Sequence, residues 1–298
     1  MMLPLFLLIT NIVGLLLIAP ILDGIERKIK ARLQCRRGPP VLQTWYDLLK
    51  LFRRPSIVTE EYSLPYIISP YIVLANIIFA LTLLPSITRV SLSFYGDIIV
   101  LTYLIASSSI FMAIGSISSG SVFATIGANR EISIATLSKL LIALVLASFV
   151  ILKGSLTLEK LFPIIPPYTI SATLAIVLFA ILAYIESYKL PFDIPEAEPE
   201  IIDGIFVEYS GKSLGVLKYS MYLKRVLLFT ILIDLVLPRN IPGIFSSLIY
   251  IVSLLFMSVI YVSIETYFGR LRIDQALKFM KALIPVVLVV IIIAYFHI

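Results

Sequence analysis

Eight stretches of this chain are apolar over about 20 residues, the length that a helix needs to cross the roughly 30 Å hydrocarbon core of a bilayer. Hydrophobic residues make up 60% of the 298 residues and charged residues only 14%. A soluble domain of this length has no core large enough to hide so much apolar surface. The pattern predicts an all-α integral membrane protein, a single transmembrane domain over residues 1–298, with about eight transmembrane helices. The predicted spans lie near 3–22, 66–87, 97–117, 132–152, 169–188, 217–237, 243–264 and 280–297.

The scarcity of metal and redox ligands excludes several classes of site. The chain has one Cys, Cys35, and one His, His297. An iron–sulfur cluster usually takes four thiolates, and haem or zinc sites take several His or Cys ligands. No glycine pattern matches a P-loop or a dinucleotide-binding fingerprint, and no catalytic triad can be assembled. We therefore expect no catalytic residue, no metal and no cofactor bound by this chain itself.

The distribution of positive charge predicts the orientation in the membrane. No charged residue precedes the first span, and the loop after it carries nine of the 24 Lys and Arg residues. Because cytoplasmic loops are enriched in Lys and Arg, we expect a multi-pass protein of the cytoplasmic membrane with both termini outside. The net charge of +6 reflects this bias and does not indicate nucleic-acid binding.

The first cytoplasmic loop contains a predicted amphipathic surface helix near residues 40–53. Apolar positions recur on one helical face, where Trp45 is an interfacial anchor, and polar positions take the other face. Two interpretations stay open: the helix only anchors the loop, or it roofs a cavity or seats a partner. The apolar face comprises Val41, Leu42, Trp45, Leu48, Leu49 and Phe52, and the polar face Gln43, Thr44, Asp47, Lys50 and Arg53.

The predicted cytoplasmic loop over residues 189–216 is acidic and rich in proline. Six carboxylates meet only two lysines there, and because like charges raise one another's pKa, some carboxylates should hold protons near neutral pH. A solvated acidic loop is the alternative, but apolar residues such as Phe192 and Ile205 are interleaved with the acids. The six carboxylates are Asp193, Glu196, Glu198, Glu200, Asp203 and Glu208.

Charged residues also fall inside the predicted spans or at their ends. A central charge in a membrane helix costs about 2.5–3.5 kcal/mol on insertion scales, so several together imply mutual pairing, a wet cavity or a partner surface. Residues near span ends can instead extend their charged groups to the interface. The set is Glu131, Lys139, Glu186, Lys224, Arg225, Asp234 and Glu265.

Three functions fit these residues. The first is a coupling subunit with a buried carboxylate–lysine relay and no redox centre of its own. The second is a stand-alone secondary transporter, and the third is a passive membrane anchor for a cytoplasmic enzyme. Two long cytoplasmic loops favour a docked partner, and the lack of a visible internal repeat disfavours an inverted-repeat transporter.

Two long motifs in this chain resemble the subunit 1 family of respiratory complex I. The first loop resembles one family signature, and residues 191–211 resemble the other. Glu131 and Glu186 lie where the family has glutamates, and the resemblance extends over nearly the whole chain. It implies eight helices and a surface to which a hydrophilic redox arm docks. The residues assigned to docking are Glu26, Arg27, Lys28, Arg32, Arg36, Arg37, Asp47, Lys50, Arg270, Arg272 and Asp274.

The resemblance also implies partners, their cofactors and an ion pathway. Redox-arm subunits on the cytoplasmic face are expected to hold iron–sulfur clusters and, in the hydrogenase type, a nickel–iron centre. Antiporter-like and small membrane subunits are expected beside the chain, with lipid around it. Electron transfer would be coupled to H⁺ or Na⁺ movement through Glu131, Lys139, Glu186, Asp193, Glu196, Glu198, Glu200, Asp203, Glu208, Lys224, Arg225 and Glu265.

One departure distinguishes two branches of this family. Quinone-type members usually carry an acid with an aromatic residue inside the sixth helix, where this chain has Lys224 and Arg225. Residues 264–275 look closer to the membrane subunits of energy-converting nickel–iron hydrogenases and related ferredoxin-linked complexes. We therefore expect a non-catalytic membrane subunit of a hydrogenase-type or sulfur-reductase-type respiratory complex. The alternatives are a quinone-chamber subunit of an NADH:quinone or deazaflavin:quinone oxidoreductase and a stand-alone transporter.

Overall fold

The computed structural model describes residues 2–58, 62–88, 90–162, 170–196, 202–237 and 243–296. Within these ranges the chain forms helices and loops and no strand, which confirms the predicted all-α class. Besides a 3-10 turn at Gly204–Phe206, the helices are α1 Met2–Leu33, α2 Gln43–Arg53, α3 Leu64–Thr82, α4 Asp97–Ile117, α5 Val122–Lys153, α6 Leu158–Leu161, α7 Ile170–Glu186, α8 Gly211–Val236, α9 Gly243–Tyr267 and α10 Ile273–Tyr295.

The long helices alternate in direction, so that four connecting segments meet at one end of the bundle. There the Ser63 N–H donates to the Ser118 carbonyl at 3.1 Å, and the Leu271 N–H donates to the Pro191 carbonyl at 3.1 Å. We call this the basic end, because it includes the Arg-rich first loop. The described parts of its connecting segments are residues 34–58, 62–63, 118–121, 187–196, 202–210 and 268–272.

Six helices in the described ranges are long and apolar enough to cross a membrane: α1, α3, α4, α5, α9 and α10. The other two predicted spans correspond to α7, whose described part has 17 residues, and α8, which has 26 residues. Composition alone does not identify α8 as a span because it carries Lys212, Lys218, Lys224, Arg225 and Asp234. The count of eight crossings stays a prediction.

Two helices exceed their predicted spans by more than ten residues each. α1 and α5 each run for 32 residues, about 48 Å at 1.5 Å per residue, which exceeds the hydrocarbon thickness of about 30 Å. α5 begins ten residues before the predicted span, directly after the turn at Gly120, whose φ is +75°. Because of these additional turns, Glu131 lies inside α5 rather than at its start.

The surface helix α2 begins at Gln43, because Pro39 and Pro40 precede it in a non-helical segment. Trp45 and Phe52 pack against Tyr219 of α8, with ring centroids 6.4 and 6.5 Å apart. Two details of the predicted faces are wrong. Thr44, placed on the polar face, is fully buried and donates to Asp23 Oδ2 at 2.9 Å, whereas Leu42 and Leu49 are 47% and 45% exposed. Packing against α1 and α8, rather than hydropathy alone, sets the inward face.

The acidic loop is folded against the bundle in its described parts. Phe192, Ile194, Ile205, Phe206 and Tyr209 are buried, as the interleaved apolar residues predicted, although Ile202 is 62% exposed. The Tyr209 ring stacks on Tyr66 at 4.5 Å. A Cβ at Gly127 would lie 2.7 Å from the Ile205 nitrogen, so glycine allows the loop to approach α5. Glu198 and Glu200 lie outside the described residues.

Candidate functional site

Five polar side chains meet inside the bundle near its basic end. α5 contributes Glu131 and Lys139, the last residue of α7 is Glu186, the following loop contributes Tyr188, and α8 contributes Lys224. Glu131 is 1% exposed, and Glu186 and Lys224 are each 4% exposed. We call these five residues the inner network. The sequence predicted four of them, and the structure brings those four together.

Glu186 is the centre of the inner network, because two lysines share one of its oxygens. Lys224 Nζ lies 2.7 Å from Glu186 Oε2, and Lys139 Nζ pairs with the same oxygen. Ser138 Oγ donates to the other oxygen, Oε1. Glu131 and Glu186 balance Lys139 and Lys224, so the formal charge of the network is zero. This balance allows four ionisable groups to remain buried in a low-dielectric bundle.

Tyr188 connects Glu131 to the rest of the inner network. Its hydroxyl donates to Glu131 Oε1 at 2.5 Å and accepts from Lys224 Nζ at 3.1 Å. Lys224 Nζ also donates to Ser109 Oγ at 3.3 Å. With its contact to Glu186, the Lys224 ammonium has a partner for each of its three donors.

A second network lies at the basic end and joins α1, α8, α9 and the loop after α7. Lys189 Nζ lies 2.8 Å from Glu26 Oε2 and 2.8 Å from Glu265 Oε2. Arg225 Nη1 approaches the same Glu26 oxygen at 2.6 Å, and Lys30 Nζ approaches Glu265 Oε1 at 2.6 Å. These contacts tie together three helices and the acidic loop.

Asp23 extends the second network toward α2. Arg225 Nη1 lies 3.2 Å from Asp23 Oδ1, Arg27 Nε lies 2.8 Å from Asp23 Oδ2, and Arg27 Nη1 lies 3.2 Å from Asp47 Oδ2. Four acids face four bases, so this network is also formally neutral. We call it the basic-end network, and its members are Asp23, Glu26, Arg27, Lys30, Asp47, Lys189, Arg225 and Glu265.

A cavity of about 200 Å³ lies between the two networks, with Tyr188 and Arg225 in its lining. Glu196 of the acidic loop and Lys218 of α8 also line it. Burial raises the pKa of Glu196 to about 7, and Lys218 opposes that rise. The sequence attributed raised pKa values to crowded like charges, but burial is the larger cause here. Glu196 therefore exchanges a proton near neutral pH beside two charge-neutral networks.

The raised pKa of Glu196 makes the folded chain less stable as the pH rises toward neutral. Its pKa rises from an ordinary 4.5 to about 7 on folding, so between these values the folded chain holds a proton that the unfolded chain has released. The stability from this proton is full below pH 4.5 and is lost as the pH rises through about 7. Thermal melting of the purified complex over this range should show a midpoint that falls by a few degrees as pH rises.

Two variants test the assignment to Glu196. Glu196→Gln should remove this part of the pH dependence. Lys218→Met removes the cation that lowers the pKa of Glu196, so the fall in melting temperature should move to higher pH. A slope that persists unchanged in Glu196→Gln would assign the effect to another group.

The remaining described acids of the loop lie nearer the surface. Asp193 Oδ2 pairs with Arg270 Nη2 at 3.0 Å, and burial raises the pKa of Asp193 while Arg270 opposes it. Asp203 and Glu208 are half-buried in the acidic loop. Among the loop acids that the structure describes, Glu196 is the one that lines the central cavity.

Most residues assigned to docking lie on the surface of the basic end, but Glu26 does not. Glu26 is 2% exposed and its carboxylate pairs inside the chain, so its position is that of a network member rather than of a surface contact. Arg27 and Asp47 pair with each other, and Lys28 is half-buried. The exposed docking residues are Arg32, Arg36, Arg37, Lys50, Arg270, Arg272 and Asp274.

Sequence reasoning did not assign Asp23, Lys30, Tyr188 or Lys189 to the site. Tyr188 and Lys189 lie two and three residues after Glu186, and that proximity was a usable signal. Asp23 is 202 positions from Arg225 in the chain, and nothing in the sequence indicates that pairing. Within the described ranges, no group of three or more His, Cys, Asp or Glu residues is placed to hold a metal ion.

Comparison with known proteins identifies the family. Residues 6–295 match the family model described as NADH dehydrogenase. The chain belongs to the NADH dehydrogenase family. The match covers nearly the whole chain and confirms the resemblance seen in its two long motifs.

Two curated relatives of this family member come from Escherichia coli (strain K12). Formate hydrogenlyase subunit 4 is 33% identical over 269 residues, covering 86% of this chain and 88% of the relative. Hydrogenase-4 component C is 32% identical, covering 75% of this chain and 72% of the relative. A solved membrane-bound sulfane sulfur reductase, an archaeal respiratory membrane complex, matches with a TM-score of 0.87 and 24% identity over 98% of both chains. That likeness shows a shared fold.

Proposed function

We propose that this chain is the membrane subunit of a ferredoxin-linked, complex I-like respiratory complex of the membrane-bound hydrogenase or sulfur-reductase type. It docks a redox arm at its basic end and couples electron transfer to movement of H⁺ or Na⁺. The observation that carries this proposal is the inner network within the helices of a membrane protein: two lysines paired with Glu186, and Glu131 joined to them through the Tyr188 hydroxyl. A passive anchor has no use for such an arrangement, since buried ionisable groups in membranes are costly.

The coupling step rests on a change of charge above the basic end. The partner holds the terminal iron–sulfur cluster, and electron arrival or substrate protonation alters the charge there. At about 10 Å and an effective dielectric of about 20, one unit charge shifts the energy of a carboxylate by roughly 1.7 kcal/mol, a little over one pKa unit. Since the pKa of Glu196 is about 7, such a shift changes its protonation near neutral pH. The inner network then receives or releases the proton through Glu186 and Glu131.

The proposed docking surface and orientation are supported by the exposed cations of the basic end. Exposed cations at the basic end, Arg32, Arg36 and Arg37, face the cytoplasm and contact the redox arm, with both termini outside the cell. The iron–sulfur clusters, and a nickel–iron centre in the hydrogenase type, belong to that arm. Antiporter-like and small membrane subunits lie beside the chain in the cytoplasmic membrane, and lipid covers the remaining apolar surface.

The quinone-chamber alternative is less well supported. Lys224 and Arg225 stand where quinone-type members usually have an acid and an aromatic residue, and both are engaged in buried ion pairs. The E. coli relatives are components named for hydrogenase and formate hydrogenlyase, which favours the hydrogenase type. Stoichiometric binding of a quinone-site inhibitor to this chain would reverse that preference.

Purification from native membranes through a tag on this chain tests the proposed function. We expect stoichiometric recovery of a hydrophilic arm that contains iron–sulfur clusters, and ion uptake into reconstituted vesicles when reduced ferredoxin is supplied. Glu131→Gln should leave assembly intact and lower ion-coupled turnover about tenfold or more, because it removes a proton-accepting carboxylate from the inner network. Glu159→Gln, an exposed acid in α6 at the other end of the bundle, is the matched control. Recovery of the chain as a stable, solitary monomer would contradict the proposal.

A further inference from the structure

We propose that Tyr188 is the proton bridge of the inner network, passing a proton between Lys224 and Glu131 through its hydroxyl. This inference rests on the proposed function and adds a residue that neither family motif nor charge pattern indicates. A tyrosine hydroxyl both donates and accepts, so it can connect a cation on one side with an acid on the other.

The geometry makes Tyr188 the link between the two groups. Its hydroxyl lies 2.5 Å from Glu131 Oε1 and 3.1 Å from Lys224 Nζ. Lys224 and Glu131 form no ion pair within 4 Å, although both lie in the described part of the chain. Lys224 Nζ also lies 4.5 Å from the centroid of the Tyr188 ring. The ammonium is thus held against both the face and the hydroxyl of one side chain.

The second oxygen of Glu131, Oε2, has no polar partner and no space for a water molecule beside it. This atom is buried without a hydrogen-bond partner. The space lined by Glu131, Ile185 and Pro195 is closed, with a cavity volume of about 0 Å³. A water molecule therefore does not fit beside Glu131 Oε2. Proton exchange between Glu131 and the cavity of Glu196 therefore depends on Tyr188, which lines that cavity and contacts Glu131 directly.

The transfer is balanced and needs no oxidant. The phenolic O–H bond of Tyr188 breaks as an O–H bond forms on the Glu131 carboxylate. An N–H bond of the Lys224 ammonium breaks as a new O–H bond forms on Tyr188. Tyr188 is unchanged at the end, Lys224 is a neutral amine and Glu131 is a neutral acid. The reverse steps restore the two charges. Glu186 also contacts Lys224, so a change in the charge of Glu186 sets the direction of proton transfer.

Tyr188→Phe in the intact, reconstituted complex tests the bridge. We expect ion movement per electron to fall about tenfold or more, since one charge-assisted hydrogen bond is lost on each side. We also expect the infrared carboxylate stretching band of Glu131, assigned by its loss in Glu131→Gln, to change frequency in Tyr188→Phe, because the carboxylate loses its hydrogen-bond donor. Tyr261→Phe is the matched control: Tyr261 is 3% exposed and donates to the Ala180 carbonyl at 3.0 Å, outside the inner network.

A second variant separates a proton bridge from a hydroxyl that only holds its neighbours in place. Incorporation of 3-fluorotyrosine at position 188 keeps the hydroxyl and makes it more acidic, so the pH profile of ion movement should shift to lower pH. A profile identical to that of the wild type would overturn the bridge. Normal ion movement in Tyr188→Phe beside a defective Glu131→Gln would also overturn it while leaving the proposed function intact. Normal ion movement in both variants would overturn the proposed role of the inner network as well.

Discussion

Glu186→Gln should destabilise the chain by about 3–5 kcal/mol, the cost of removing one partner from a buried ion pair. The carboxylate of Glu186 is the shared partner of Lys139 and Lys224, and without it two buried ammonium groups face only Glu131. The expected result is a lower melting temperature of the purified complex and complete loss of ion-coupled turnover. Both are measured on the same preparation.

A double variant shows whether charge balance is the cause. Glu186→Gln with Lys224→Met leaves one acid, Glu131, and one base, Lys139, in the inner network. This pair of changes should recover most of the lost stability and none of the coupled turnover. The double variant Glu186→Gln with Lys139→Met removes the other lysine that pairs with Glu186 and serves as a second test of the same charge balance. A double variant as unstable as Glu186→Gln alone would show that packing around Glu186, rather than its charge, holds the network together.

Charge reversal of Arg36 and Arg37 should release the redox arm from the membrane subunit. Both side chains are exposed at the basic end. Carboxylates at these positions would place negative charge against a partner surface that is complementary to positive charge, which weakens binding by about 100-fold. Arm retention on membranes is measured by quantitative immunoblotting after washes of increasing ionic strength. In the variant, arm retention should depend less on ionic strength than in the wild type, and this difference identifies the electrostatic part of the interaction.

Lys153→Glu is the matched control for docking, because Lys153 is an exposed cation at the far end of α5. It should retain the arm at every ionic strength that the wild type tolerates. Release of the arm by Lys153→Glu, with retention in the double reversal at Arg36 and Arg37, would contradict docking at the basic end and place the docking face at the opposite end of the bundle.

Residues whose chemistry is costly in lipid could be predicted from the sequence. Lys139, Lys224 and Arg225 interrupt otherwise apolar spans, and a buried cation in a membrane must have a partner. Glu131 and Glu186 were candidates because they lie inside or at the ends of spans and where the resembling family has glutamates, and the structure brings both acids into the inner network. The all-α class followed from the length of the apolar stretches.

Pairings that depend on helix packing could not be predicted. Arg225 meets Asp23 and Glu26 only because α8 lies beside α1, and such a neighbour relation has no local sequence signal. For the same reason Glu26 was grouped with the exposed arginines of its own loop, although its carboxylate points into the bundle. Thr44 was assigned to the polar face of α2 from periodicity, but its hydroxyl is used by Asp23.

The formal neutrality of both networks limits how many protons this chain can store at once. One added proton leaves an uncompensated unit charge among groups a few ångströms apart. A second proton about 4 Å away then meets a repulsion of about 4 kcal/mol at an effective dielectric of about 20, which lowers its occupancy by about 1,000-fold. Under the proposed coupling role, each network would load a single proton per cycle, and a larger ratio of ions to electrons would have to originate in neighbouring subunits.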